Sequence, residues 1–127
     1  MGIDIYMKWD GMTKEEKESQ YTGFEVSGKA GAVGYLRESY GSEPYATHVL
    51  VPEAFDNESW EENDYYVPFQ THILEARLEN AVETAHERGR NYGMESHSNM
   101  EEALRNFVKL AREKEDEGKK ISIHASY

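Results

Sequence analysis

The chain has 127 residues, 38% of them hydrophobic and 31% charged, and no cysteine. That is one domain's worth of chain with enough apolar content to pack a core, and it excludes disulfides, thiolate zinc sites and cysteine nucleophiles. A formal charge of −11 at pH 7 repels nucleic acid phosphates and anionic lipid heads, so neither is an expected partner.

In chain order, Ile3, Ile5, Met7 and Trp9 alternate with Asp4, Tyr6 and Lys8. This is the period of a strand with one buried face, broken by Asp10-Gly11. Thr13-Lys14-Glu15-Glu16 is a capping box, predicting a short polar surface helix over Lys14 to Gln20. Gly23 to Gly34 is rich in glycine and reads as a loop or two short strands around a turn. Tyr35 to Tyr40 reads as one or two helical turns ended by Gly41, and Thr47 to Val51, bounded by Pro52, as a short strand. Glu53 to Tyr66 carries six acids and no base, and reads as an exposed loop interrupted by Trp60, Tyr65 and Tyr66.

Pro68 suits the first turn of a helix. From Phe69 to Arg88, Ile73, Leu74, Leu78, Ala81, Val82 and Ala85 then fall three and four apart on one face, with Gly89 as the stop. Ser98-Asn99-Met100-Glu101 is a second capping box. It opens a helix that buries Met100, Ala103, Leu104, Phe107, Val108 and Ala111 and ends at Gly118. Ile121, Ile123 and Ala125 alternate with Ser122, His124 and Ser126, predicting a second good strand.

The fold these elements predict is a single α+β domain over residues 1–127: a small mixed or antiparallel sheet that includes the N- and C-terminal strands, packed by two main amphipathic helices. Two strands alone are marginal, so at least one more is expected, around Val49 or between Gly23 and Val33.

Several patterns carry candidate chemistry. Gly23-Phe24-Glu25-Val26-Ser27-Gly28-Lys29-Ala30 has the glycine and lysine spacing of a phosphate-binding loop. Ala30 lacks the hydroxyl that would hold magnesium, and no buried strand precedes Gly23, so a glycine-rich turn is the better reading. The five histidines (His48, His72, His86, His97 and His124) form no His-Glu-x-x-His pair, and Asp56 to Asp64 lacks the central glycine of a calcium loop. No metal and no cofactor is expected. Asp4 on one terminal strand and His124 on the other share the polar face with serines, and with Arg37 and His48 they are the candidates for a catalytic site. The plainer reading is a solvated sheet face, because no nucleophile elbow marks a serine. Tyr6, Tyr35, Arg37, Tyr40 and Tyr45 are aromatic and arginine side chains of the kind that anchor protein interfaces, although tyrosines also finish cores with the hydroxyl at the rim.

The opening Met1-Gly2-Ile3-Asp4-Ile5-Tyr6, followed by Gly34-Tyr35-Leu36-Arg37-Glu38, resembles short uncharacterised proteins of bacteria and their phages that open Met-Gly-Leu-Asp, an apolar residue and Tyr. The resemblance implies no activity; it draws notice to Asp4, Tyr6 and Arg37.

The functional expectation is a non-catalytic, acidic interaction protein whose partner offers a basic protein surface. No apolar run reaches the roughly 18–20 residues of a membrane span, and Met1 to Tyr6 lacks a signal-peptide pattern, so a cytoplasmic location is expected. The rival is a small hydrolase using Asp4, Arg37, His48 or His124. Homo-oligomerisation with no other partner is the third reading.

Overall fold

The computed structural model describes residues 2–18, 20, 34–39, 44–55, 66–92 and 98–126. Strand β1 (Gly2–Trp9) turns Ile3, Ile5, Met7 and Trp9 inward, all buried, as the alternation predicts. The capping box forms. The Glu16 N–H donates to the Thr13 hydroxyl at 3.1 Å and the Thr13 N–H to the Glu16 carboxylate at 3.0 Å, and residues 14–18 are helical (α1). That backbone bond from Thr13 holds the Glu16 carboxyl below its usual range. The expected surface location fails at Gln20, which is buried. Its amide donates to the carbonyls of Met7 (2.6 Å) and Gly34 (3.3 Å), giving a polar side chain a core position at no loss of hydrogen bonds.

Strand β2 (Tyr35–Ser39) replaces the helical turns expected there. It pairs antiparallel with β1, Leu36 opposite Ile5 and Tyr35 opposite Tyr6. Five residues make too weak a helix to compete with a ladder that also buries Leu36. The reverse error falls on Thr47 to Val51: residues Ala46–Leu50 are a helix, α2, not a strand. Its N-cap, Tyr45, makes no side-chain cap bond. The buried Glu38 of β2 accepts instead from the N–H groups of Ala46 (2.8 Å) and Thr47 (3.0 Å) and from the Thr47 hydroxyl (2.6 Å). A carboxylate brought across space satisfies the helix start and overrides the β-propensity of Thr47 and Val49.

Of the expected acidic loop, Pro52–Phe55 is a 3-10 turn with Ala54 buried; residues 56–65 lie outside the described residues, as do the glycine-rich segment 23–33 and Tyr40. Pro68 does not start a helix. It sits in β3 (Val67–Phe69), a short edge strand, where a residue without an N–H is tolerated. Helix α3 begins at Thr71 and runs past Gly89 to Tyr92. One interior glycine costs about 1 kcal/mol, too little to end a helix whose apolar stripe is packed.

Helix α4 (Ser98–Asp116) ends as expected. Gly118 has φ +84°, its N–H donates to the Glu115 carbonyl at 2.9 Å, and the Lys119 N–H donates to the Lys114 carbonyl at 3.0 Å, the paired bonds of a Schellman stop. Strand β4 (Ile121–Ser126) follows. The sheet is antiparallel throughout, in the order β2-β1-β4-β3, so the terminal strands are its central neighbours. The third and fourth strands are β2 and β3, not a strand at Val49. The inward face of the sheet meets Leu74, Ala81, Val82 and Ala85 of α3 and Leu104, Phe107, Val108 and Ala111 of α4 in one core. Among the described residues no helix is long and apolar enough to cross a membrane.

Candidate functional site on the outer face of the sheet

Alternation that sends one side chain into the core sends its neighbours to the face away from the helices. On β1 these are Asp4, Tyr6 and Lys8; on β2, Tyr35 and Arg37; on β4, Ser122, His124 and Ser126. Register then decides who meets whom. Asp4 lies opposite Arg37 on one side and Ser126 on the other; Tyr6 lies between Tyr35 and His124.

The result is a row of four rings crossing the sheet in strand order. Tyr35 and Tyr6 stack with centroids 5.2 Å apart and planes at 29°. Tyr6 and His124 follow at 6.4 Å and 18°, and His124 and Tyr66 at 5.5 Å and 47°. These separations are those of favourable offset or tilted ring pairs. The Lys8 ammonium sits 5.5 Å from the Tyr66 ring centre, within cation–π range. Tyr6, His124 and Tyr66 are half-buried, while Lys8 and Arg37 are exposed.

Asp4 organises one end. One carboxylate oxygen accepts both from the Tyr35 hydroxyl (2.5 Å) and from the Arg37 guanidinium (3.1 Å). Burial first, and the bond to Asp4 second, push the Tyr35 hydroxyl up to about 12. The Tyr35 oxygen and the Asp4 charge in turn hold the Arg37 guanidinium above its usual value. Tyr35 therefore stays a neutral donor and Arg37 a cation across the physiological range.

His48 is not part of this arrangement. It rides on α2, its ring edge-on to Phe55 at 4.1 Å and to Tyr45 at 5.1 Å. The start of α2 is held by Glu38, whose neighbour Arg37 points to the opposite face. The sheet thus separates His48 from Asp4, Arg37 and His124, which share the outer face. Tyr45 is buried beside His48 rather than beside Tyr6. Sequence reasoning left out Tyr66, which joins the row from just before β3; its only signal is an aromatic residue between an acidic run and a short β-prone segment.

On the helical side several acids are paired with arginines. Glu79 and Glu101 pair with Arg105, Glu75 with Arg112, and Glu53 with Arg77 in a two-pronged bond of 2.7 and 2.8 Å. These guanidinium partners hold all four carboxyls below the usual range. Among the described residues no group of three or more histidines and carboxylates is placed to hold a metal ion. No family model, curated protein or solved structure matches the chain.

Proposed function

We propose that this chain is a non-catalytic interaction domain of the cytoplasm that binds a basic protein partner through the outer face of its sheet, and that it binds neither nucleic acid nor membrane. The observation that carries the reading is the ring row Tyr35–Tyr6–His124–Tyr66. Tyrosines offer large contact area with little side-chain freedom to lose, and their hydroxyls tolerate a wet rim. The row ends at Tyr66, where the segment with six acids and no bases ends in the sequence. A charge of −11 would speed encounter with a cationic surface. The hydrolase reading draws less support, since Asp4 is taken up by Tyr35 and Arg37 and His48 lies across the sheet.

The test is a pull-down with the tagged domain at low and moderate salt, followed by kinetics on the captured partner. Tyr6→Ala and Tyr66→Ala should speed dissociation about tenfold or more, as anchor truncations do. Charge reversal at Glu58, Glu61 and Glu62 should slow association and leave dissociation nearly unchanged. If the two tyrosine variants dissociate at the wild-type rate, the outer face is not the interface. Light scattering on the same samples separates a foreign partner from self-association.

A further inference from the structure

At the β3 edge of the sheet, the start of α3, the end of α4 and the ends of β3 and β4 border an open cleft of about 820 Å³. That lies within the roughly 300–1,000 Å³ of small-molecule sites. Pro68, Phe69, Ile73 and Ile121 give it an apolar lining, and charged side chains rim it.

What the rim can still bind follows from which groups are already occupied. Both oxygens of Glu53 are bonded to Arg77. One oxygen of Glu115 accepts the Thr71 N–H at 2.8 Å and the other lies 3.8 Å from the Arg112 guanidinium. The Thr71 bond, ahead of the Arg112 charge, holds the Glu115 carboxyl below its usual range. The acids of the cleft are therefore satisfied. The lysines are less fully engaged. Among the described residues the Lys120 ammonium has no ion-pair partner, although its backbone N–H is fixed by Asp10 at 3.0 Å. Lys119 is 4.0 Å from Glu117, which lies closer to Lys114 (3.7 Å). His72 is exposed at the rim.

The geometry points to a second binding site here, for a small organic anion: an apolar ring or short chain against Phe69, Ile73 and Ile121, with a carboxylate, sulfonate or phosphate held by Lys119, Lys120 and His72. In a chain of charge −11 the cleft sets two lysines against two glutamates that are already bonded to protein groups, and charge-assisted bonds to an anion are the strongest such donors make. The cleft shares no residue with the ring row, and the two proposals stand or fall separately.

The probe is 1-anilinonaphthalene-8-sulfonate, titrated by fluorescence into the folded domain, with amide shifts recorded on the same sample. The expected result is one saturable site with shifts at residues 69–73 and 119–121. The double variant Lys119→Glu, Lys120→Glu should weaken binding about tenfold or more, and Ile73→Trp, which fills the cleft, should abolish it. The lysine pair lies on the surface, so that variant keeps the test valid should Ile73→Trp disturb folding. No saturable binding, binding indifferent to the lysine pair, or shifts confined to Tyr6 and His124 would overturn the proposal.

Discussion

Glu38 is the residue whose removal tests the fold most sharply. It sits on β2 but caps α2, accepting three hydrogen bonds from Ala46 and Thr47, both fully buried. Glu38→Ala leaves two backbone N–H groups and one hydroxyl without that acceptor. Each buried group left unpaired costs about 1–3 kcal/mol, and water entering the space left by the side chain recovers part of it, so a loss of about 3 kcal/mol is expected. That is a large fraction of the roughly 5–15 kcal/mol that holds a domain folded. Glu38→Gln keeps an acceptor for Thr47 but turns an amide donor toward the Ala46 N–H, and should cost about 1–2 kcal/mol. The cycle with Thr47→Val separates the hydroxyl. In the wild-type background Thr47→Val removes a bond and destabilises; beside Glu38→Ala it removes a stranded hydroxyl and should be neutral or stabilising. Equilibrium urea unfolding of the four proteins reads these values. If Glu38→Ala costs under about 1 kcal/mol, or Thr47→Val costs the same in both backgrounds, the account of α2 as a helix capped from the sheet is wrong.

Two further perturbations have signs set by the structure. Gly34 has φ +86°, and an added Cβ would lie 2.8 Å from the Gln20 amide nitrogen and 3.2 Å from the Met7 Cβ. Gly34→Ala should lower stability by about 2 kcal/mol or more, the left-handed backbone alone costing about 1–2, and an unchanged urea midpoint would refute the contact. Tyr35, pushed up to about 12 against an ordinary 10.0, favours its neutral form in the folded protein. Its contribution is fully present below pH 10 and is lost as pH rises toward 12. Absorbance at the tyrosinate band should show a late-ionising phase that Tyr35→Phe removes.

What the sequence disclosed, and what it withheld, divides by the range of the interactions. The terminal strands are legible because Ile3 to Trp9 and Ile121 to Ala125 alternate within themselves, and each buries the predicted residues. The capping box at Thr13 and the glycine stop at Gly118 are legible because their bonds span only three to five residues. The stretches misread are those whose state is decided from a distance. Tyr35–Ser39 is a strand because β1 offers an edge, and Ala46–Leu50 is a helix because Glu38 reaches its start. Neither cause leaves a mark in the segment itself. Read alone, Leu-Arg-Glu favours a helix and Thr-His-Val-Leu-Val favours a strand, and in each case tertiary contacts win over propensity.

The candidate site shows the same division more sharply. Tyr6 and Tyr35 stand out as aromatic residues, and His124 as a polar residue on a predicted strand, but nothing local says that they touch. Adjacency requires that β1 lie between β2 and β4, and that Tyr6 face both Tyr35 and His124 in register. A one-residue slip of β2 against β1 would carry Leu36 and Glu38 to the outer face and send Arg37 toward the helices. Glu38 forbids that slip. Its carboxylate must stay inward to hold α2, so the capping bond that shapes the helix layer also keeps Tyr35 and Arg37 on the outer face beside Asp4. Weakening Glu38 should therefore loosen the Tyr35–Tyr6 end of the ring row before the His124–Tyr66 end, which rests on the β1–β4 pairing. Exchange of amide hydrogens in Glu38→Gln reads this as earlier opening of β2 than of β4, and equal acceleration in both strands would show that the cap and the row are not coupled.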